Sequence, residues 1–294
     1  MRRVARVCWL LVLSGFLACD SRPPAPAREQ FQFPMAVFVE SSPHPYWEAV
    51  ERGLKSRLSE PGMSVEWQFF NAQTRQTLVD KTRQTEYRAV ALTAVPTDSW
   101  AQDWIQTLVQ EAGTPVVLMG ADIPESLRLG YVGTYYYDVG RRVGAWFARK
   151  VPRGEVWVIA NHPVPRAVSE FWDGFRHGLL NNRRLRPQLI GIDRRSEIPS
   201  RVQTLAQRPS PAGIFFMGHD VAQVGLSTFR SPTKGVLSWN NDALNWYRTK
   251  QCQLLVVEQP EEVGLRTGNI LRNLSQGRGR TLTIVFVPCK WYTR

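Results

Sequence analysis

The chain lacks the short motifs on which many enzymes depend. Its four histidines, His44, His162, His177 and His219, include no pair at metal-ligand helical spacing. Its four cysteines include no Cys-x-x-Cys, so a zinc site has little support. There is no Gly-x-Gly-x-x-Gly, no Walker loop and no nucleophile elbow, and the sequence therefore predicts neither a resident metal or cofactor nor an enzyme. An apolar run of about 20 residues, the length a membrane-spanning helix needs, is also missing. The basic residues give a formal charge of +12, but they are mostly arginines spread along the chain with no basic stripe, and no nucleic-acid partner is expected.

The N-terminus has a clear character. Arg2, Arg3 and Arg6 precede the apolar run Val7 to Ala18, and no acidic residue appears before Asp20, which is the profile of a secretory signal over residues 1–18. Phe16-Leu17-Ala18-Cys19 resembles the bacterial lipobox, which implies cleavage before Cys19 and a lipid on its sulfur. Asp20 is similar to an inner-membrane retention signal, so the resemblance implies a lipid-anchored protein on the periplasmic side of a bacterial membrane, with the inner membrane favoured. Residues 19–33 are rich in Pro, Ala and charged side chains without apolar periodicity and read as a tether. With Cys8 inside the signal and Cys19 assigned to lipid, Cys252 and Cys289 remain. They are free to pair in an oxidising compartment or to stay as buried thiols.

Beyond the tether, apolar runs alternate with helical periodicity. Met35 to Val39 reads as a strand, and Trp47, Val50, Leu54 and Leu58 recur at helical spacing. Further strand candidates run from Val65 to Phe70, Ala89 to Leu92, Val116 to Met119, Val156 to Ala160, Leu189 to Ile192, Ile214 to Met217, Val236 to Trp239 and Leu254 to Val257, with helical stretches between most of them. Such alternation predicts an α/β fold with parallel sheets covered by helices, and two sheets separated by a cleft suit the length better than one wide sheet. Ligands of such folds bind beyond the carboxyl ends of the strands.

Several segments, in order, resemble the type I periplasmic binding proteins of the ribose and galactose group. They are Ser42-Pro43-His44-Pro45-Tyr46-Trp47, Pro96-Thr97-Asp98-Ser99, Tyr131-Val132-Gly133-Thr134 with Gly140-Arg141, Asp173-Gly174-Phe175, Phe216-Met217-Gly218-His219-Asp220, and Glu258-Gln259-Pro260 with Gly264. The resemblance implies two Rossmann-like lobes joined by a three-crossing hinge. The N-terminal lobe takes residues 34–134 and 259–281, and the C-terminal lobe takes 135–258 and 282–294.

It also implies candidate ligand contacts. Tyr46 and Trp47 stand where relatives stack rings on a sugar face, and His44 where they hydrogen-bond ligand. His219, Asn240 and Glu258 correspond to strand-end and hinge contacts, while Asp220 reads as a helix N-cap. Gly120-Ala121 replaces the Asp-Arg pair of sugar binders, and Ser169 replaces an arginine. Asp122, Arg166 and Arg195 are the candidates to substitute for them.

The implied function is that of an extracytoplasmic solute-binding lipoprotein that captures a small polar ligand, most often a carbohydrate, for an ABC permease. The alternative is a sensor or interaction module for a membrane signalling partner. Metabolic labelling with a fatty acid is expected to mark the protein and to fail after Cys19→Ser, whereas labelling that survives the substitution would remove the anchor.

Overall fold

The computed structural model describes residues 33–41, 43–93, 99–164, 166–229, 233–279 and 281–294. The signal, Cys19 with nearly all of the tether, Ser42 and Pro96-Thr97-Asp98 lie outside the described residues.

The chain first lays down β1 (Phe33–Glu40), α1 (Pro45–Leu58), β2 (Met63–Phe70), α2 (Arg75–Gln84), β3 (Ala89–Thr93), α3 (Trp100–Gln106), β4 (Val116–Met119) and β5 (Gly130–Gly133). It continues through α4 (Tyr136–Lys150), β6 (Gly154–Ala160), α5 (Ala167–Gly178), β7 (Leu185–Gly191), α6 (Ile198–Ala206), β8 (Gly213–Met217), α7 (His219–Thr228), β9 (Thr233–Ser238), α8 (Ala243–Arg248) and β10 (Leu254–Val257). It ends with α9 (Pro260–Ser275), β11 (Thr283–Phe286) and β12 (Lys290–Thr293).

Two six-stranded sheets result, in the orders β11-β5-β4-β3-β1-β2 and β12-β10-β9-β8-β6-β7, parallel except where β12 runs antiparallel to β10. The two sheets repeat one winding pattern. Their inner strands β3, β4 and β8 are buried at every position, as expected of parallel strands with helices on both faces. The chain crosses between the sheets after β5, after β10 and after β11, which makes the three-crossing hinge.

The expected assignment of all of 282–294 to the second lobe is corrected at this last crossing. Thr283–Phe286 pairs with Gly130–Gly133 in the first sheet, and only β12 joins the second. Ile284 and Phe286 are exposed, so β11 has no continuous apolar run to mark it as a strand.

On one face of each sheet a helix pair packs backbone to backbone, α1 on α9 and α4 on α5. A Cβ added at Gly264 would lie 1.8 Å from the Val50 carbonyl oxygen, and one at Gly174 would lie 1.9 Å from that of Tyr137. Only glycine permits that approach. The close packing brings the start of α1 and the start of α9 to the same side of the hinge. Among the described residues no helix is long and apolar enough to cross a membrane. Gln32–Arg294 forms one compact unit with both sheets and their apolar cores, and this body is expected to fold by itself.

Candidate functional site

The carboxyl ends of the parallel strands in the two sheets face each other, and the side chains there decide what the cleft can hold. His44 precedes α1, and Pro45 takes the first helical position, where its missing N–H costs nothing. The Nδ1 of His44 accepts the Tyr46 amide at 3.0 Å, which leaves Nε2 3.5 Å from Asp220 Oδ2 across the cleft. Arg195 donates to the other Asp220 oxygen at 2.9 Å. Burial opposes ionisation of Asp220, but the hydrogen bond from His44 and the Arg195 guanidinium outweigh it and hold the carboxyl below its ordinary range. Asp220 is therefore not the expected N-cap: Gly218 caps α7, and the carboxylate serves the cross-lobe contact.

His219 opens α7 with Nδ1 3.0 Å from Ser238 Oγ, and its ring stacks on Trp246 at 5.0 Å. Burial lowers its pKa and outweighs the attraction of Asp220 and Asp242, so the ring is neutral at neutral pH.

Glu258, at the end of β10, is only 2% exposed. It accepts the Tyr136 hydroxyl at 2.7 Å and lies 2.7 Å from His162 Nε2. The Val164 amide donates to His162 Nδ1 at 3.1 Å, so that nitrogen is the acceptor and Nε2 carries the proton given to Glu258. Burial, and then the charge of Glu258, push the Tyr46 and Tyr136 hydroxyls well above the ordinary tyrosine range, and both remain neutral.

Tyr46 and Trp47 pack edge to face beside this cluster, with ring centroids 5.1 Å apart. Tyr46 is buried with its ring 5.8 Å from that of His162. Trp47 is wholly buried, and a Cβ on Gly120 would meet Val164 Cγ1 at 3.0 Å and Trp47 Cη2 at 3.4 Å. Val164 thus fills the volume beside the glycine that replaces the Asp-Arg pair. Trp47 is core.

Asp122 and Arg166 meet across the cleft but through the backbone: Arg166 Nη1 donates to the Asp122 carbonyl at 3.3 Å. The Asp122 carboxylate takes Arg128 Nη2 at 2.9 Å, and Arg166 Nε lies 3.3 Å from Glu170.

A cavity of about 570 Å³ lies near the hinge, lined by residues of both lobes. Trp239, Asn240 and Asn241 wall it from the second sheet, and Arg52 of α1 with Glu261 and Leu265 of α9 from the first. Glu258, Gln259 and Lys290 close it at the crossings. Of the expected contacts, Asn240 and Glu258 border this cavity. His44 and His219 stand one ring behind it, their rings 5.6 Å and 5.3 Å from Trp239. Trp239, Arg52 and Lys290 were not among the expected contacts. Trp239 was readable as the neighbour of Asn240 at a strand end, whereas Lys290 begins a strand with no sequence signature.

The cavity is lined by one aromatic residue among amide, carboxylate and cationic groups, a composition that suits a small polyhydroxylated molecule. Cys252 and Cys289 are both free, and burial pushes the Cys252 thiol up to about 12 and Cys289 up as well, so neither is a nucleophile at neutral pH. Among the described residues no group of three or more His, Cys, Asp or Glu side chains could hold a metal.

Glu258→Ala is expected to cost more stability than Tyr136→Phe. The first strands both a buried hydroxyl and a buried imidazole, while the second removes one donor at about 1–3 kcal/mol. Urea unfolding of both variants checks the order, and equal or negligible losses would show that the cluster is not what joins these elements.

A model of the family described as periplasmic binding protein domain matches residues 35–278. An ABC transporter solute binding protein from Burkholderia graminis, solved in complex with D-arabinose, superposes with a TM-score of 0.76 at 18% identity, covering 91% of this chain and 97% of its own. One from Bacillus halodurans with bound myo-inositol gives 0.77 at 12% identity, covering 90% and 96%. A glucose-galactose binding protein from Geobacillus stearothermophilus gives 0.74 at 17% identity, covering 89% and 97%. Among curated proteins none matches the sequence. The family match spans both lobes and agrees with the repeated sheets, the three crossings and the cleft between them: the chain belongs to the periplasmic binding protein family, with the type I fold.

Proposed function

We propose that this protein captures a small polar solute, a sugar or sugar-like compound, in the cavity beside the hinge and presents it to an ABC importer. The observation that carries the reading is the cavity itself. It is of a size common for small-molecule sites, is bordered by both lobes, and has Trp239 on one wall with Asn240, Arg52 and Lys290 around it. A ligand touching both walls favours the arrangement in which they are close by its differential affinity for it, and no chemical step is needed. D-arabinose and myo-inositol in the solved relatives support the ligand class. In this reading the N-terminal signal exports the chain, lipid on Cys19 anchors it, and the tether keeps the body at high local concentration near a permease.

A second reading, an interaction module for a membrane signalling partner, draws on a different observation. Glu258, Asp122 and Asp220 spend their carboxylates on Tyr136, His162, Arg128, His44 and Arg195 instead of on open space.

A thermal-shift panel of monosaccharides, polyols, nucleosides and anionic sugars on residues 32–294 separates the two. A ligand at about 100 times its dissociation constant adds roughly 2.7 kcal/mol of stability. Trp239→Ala is expected to abolish the shift, whereas Trp47→Ala is expected to lower the unliganded midpoint through lost core packing. A panel with no shift in the wild-type body would favour the second reading.

A further inference from the structure

The arginines that look scattered along the sequence are gathered by the fold. In the second sheet Gly154, Leu185, Gly213, Thr233 and Leu254 begin the parallel strands at one common end, remote from the cleft. The turn from α4 to β6 brings Arg149, Lys150 and Arg153 there, all exposed. The turn from α5 to β7 adds Arg183, Arg184 and Arg186, also exposed. Arg208 arrives before β8, and Arg248 and Lys250 before β10. One carboxylate, Glu155, accompanies them among the described residues of these turns and strand starts, 3.8 Å from Arg186.

A bland explanation exists for part of this. Cations in the last turn of a helix complement its dipole, which accounts for Arg149, Lys150 and Arg248. The first lobe provides the comparison, because its helices also end in cations, such as Lys55 and Arg57 in α1 and Lys81 and Arg83 in α2. There, however, exposed Glu60, Glu86 and Glu111 are interleaved with the cations. The dipole does not explain the scarcity of acids at the second lobe's end, nor the arginines at 153, 183, 184, 186 and 208, which lie outside helices.

We propose that this end of the second lobe is a docking surface for anionic phospholipid headgroups. The charge is complementary to such a surface and is distributed over several turns, as an extended planar partner requires. Leu180, 65% exposed, stands three residues before Arg183 and offers an apolar side chain to the acyl boundary. An extended peptide fits less well. The edge strand β7 carries Pro187, which has no backbone N–H to donate to an added strand, and Arg186 beside it guards the same edge. The proposal does not depend on the sugar reading, since it concerns the end away from the cleft.

The test is co-sedimentation of residues 32–294 with phosphatidylcholine vesicles, with and without phosphatidylglycerol, at low and high salt. Binding is expected only with the anionic lipid and is expected to be lost at high salt. Arg183→Glu/Arg184→Glu should weaken it by about tenfold or more, while Arg57→Glu/Arg83→Glu, an equal change in net charge on the first lobe, should leave it within about twofold. Absence of binding to anionic vesicles at low salt would overturn the proposal. So would equal loss in the two double variants, which would reduce the effect to net charge. Binding of an acidic peptide by a body that ignores both vesicles would replace the lipid with a protein partner.

Discussion

A single buried carboxylate organises the middle of this molecule. A charge removed from water must be met by donors, and Glu258 is met by Tyr136 from the start of α4 and by His162 from the end of β6. Those two residues belong to segments far apart in sequence, and satisfying one carboxylate brings the first crossing, the second crossing and a strand-end loop to one point. Around that point lie Val164 beside Gly120, the buried Tyr46 and Trp47, and the entry of α9. The cavity lies where this dense cluster ends.

The glycine-mediated helix pairs serve the same end by other means. Because α1 and α9 touch through backbone atoms, Arg52 and Glu261 come to border one cavity from two helices that the sequence separates by about two hundred residues. The second lobe repeats the device in α4 and α5, and its sheet ends supply Trp239 and Asn240 opposite them. A rigid wall on each side, joined by three chain crossings, is the arrangement that lets a bound solute draw on both lobes at once.

Much of the architecture was legible beforehand, for a physical reason. Strands buried on both faces must be continuously apolar, so Met35 to Val39 and Val116 to Met119 stand out, whereas β11 and β12 lie at sheet edges, are partly exposed and leave no such run. The site was legible in part. Asn240 and Glu258, which border the cavity, are legible because polar residues at strand ends are conspicuous. The pairing of His162 is not legible in sequence, since nothing local discloses a partner 96 residues away. Trp47 is ambiguous in sequence because an aromatic residue that begins a helical stripe can serve a ligand or the core, and in the structure it is wholly buried beside Gly120 and Val164. Charge was the least legible of all, because the sequence shows how many arginines there are but not that the turns of one lobe collect them.

In the proposed function, solute sits beside the hinge, between Trp239 and α9, and not deep in the cleft where Val164 lies. Hydrogen exchange of residues 32–294, with and without the sugar that most raises the melting temperature, tests it most directly. The account predicts slowed exchange on both walls together, at 239–241 and at 258–265. Protection confined to 120–122 and 161–166, or to one wall alone, would contradict it.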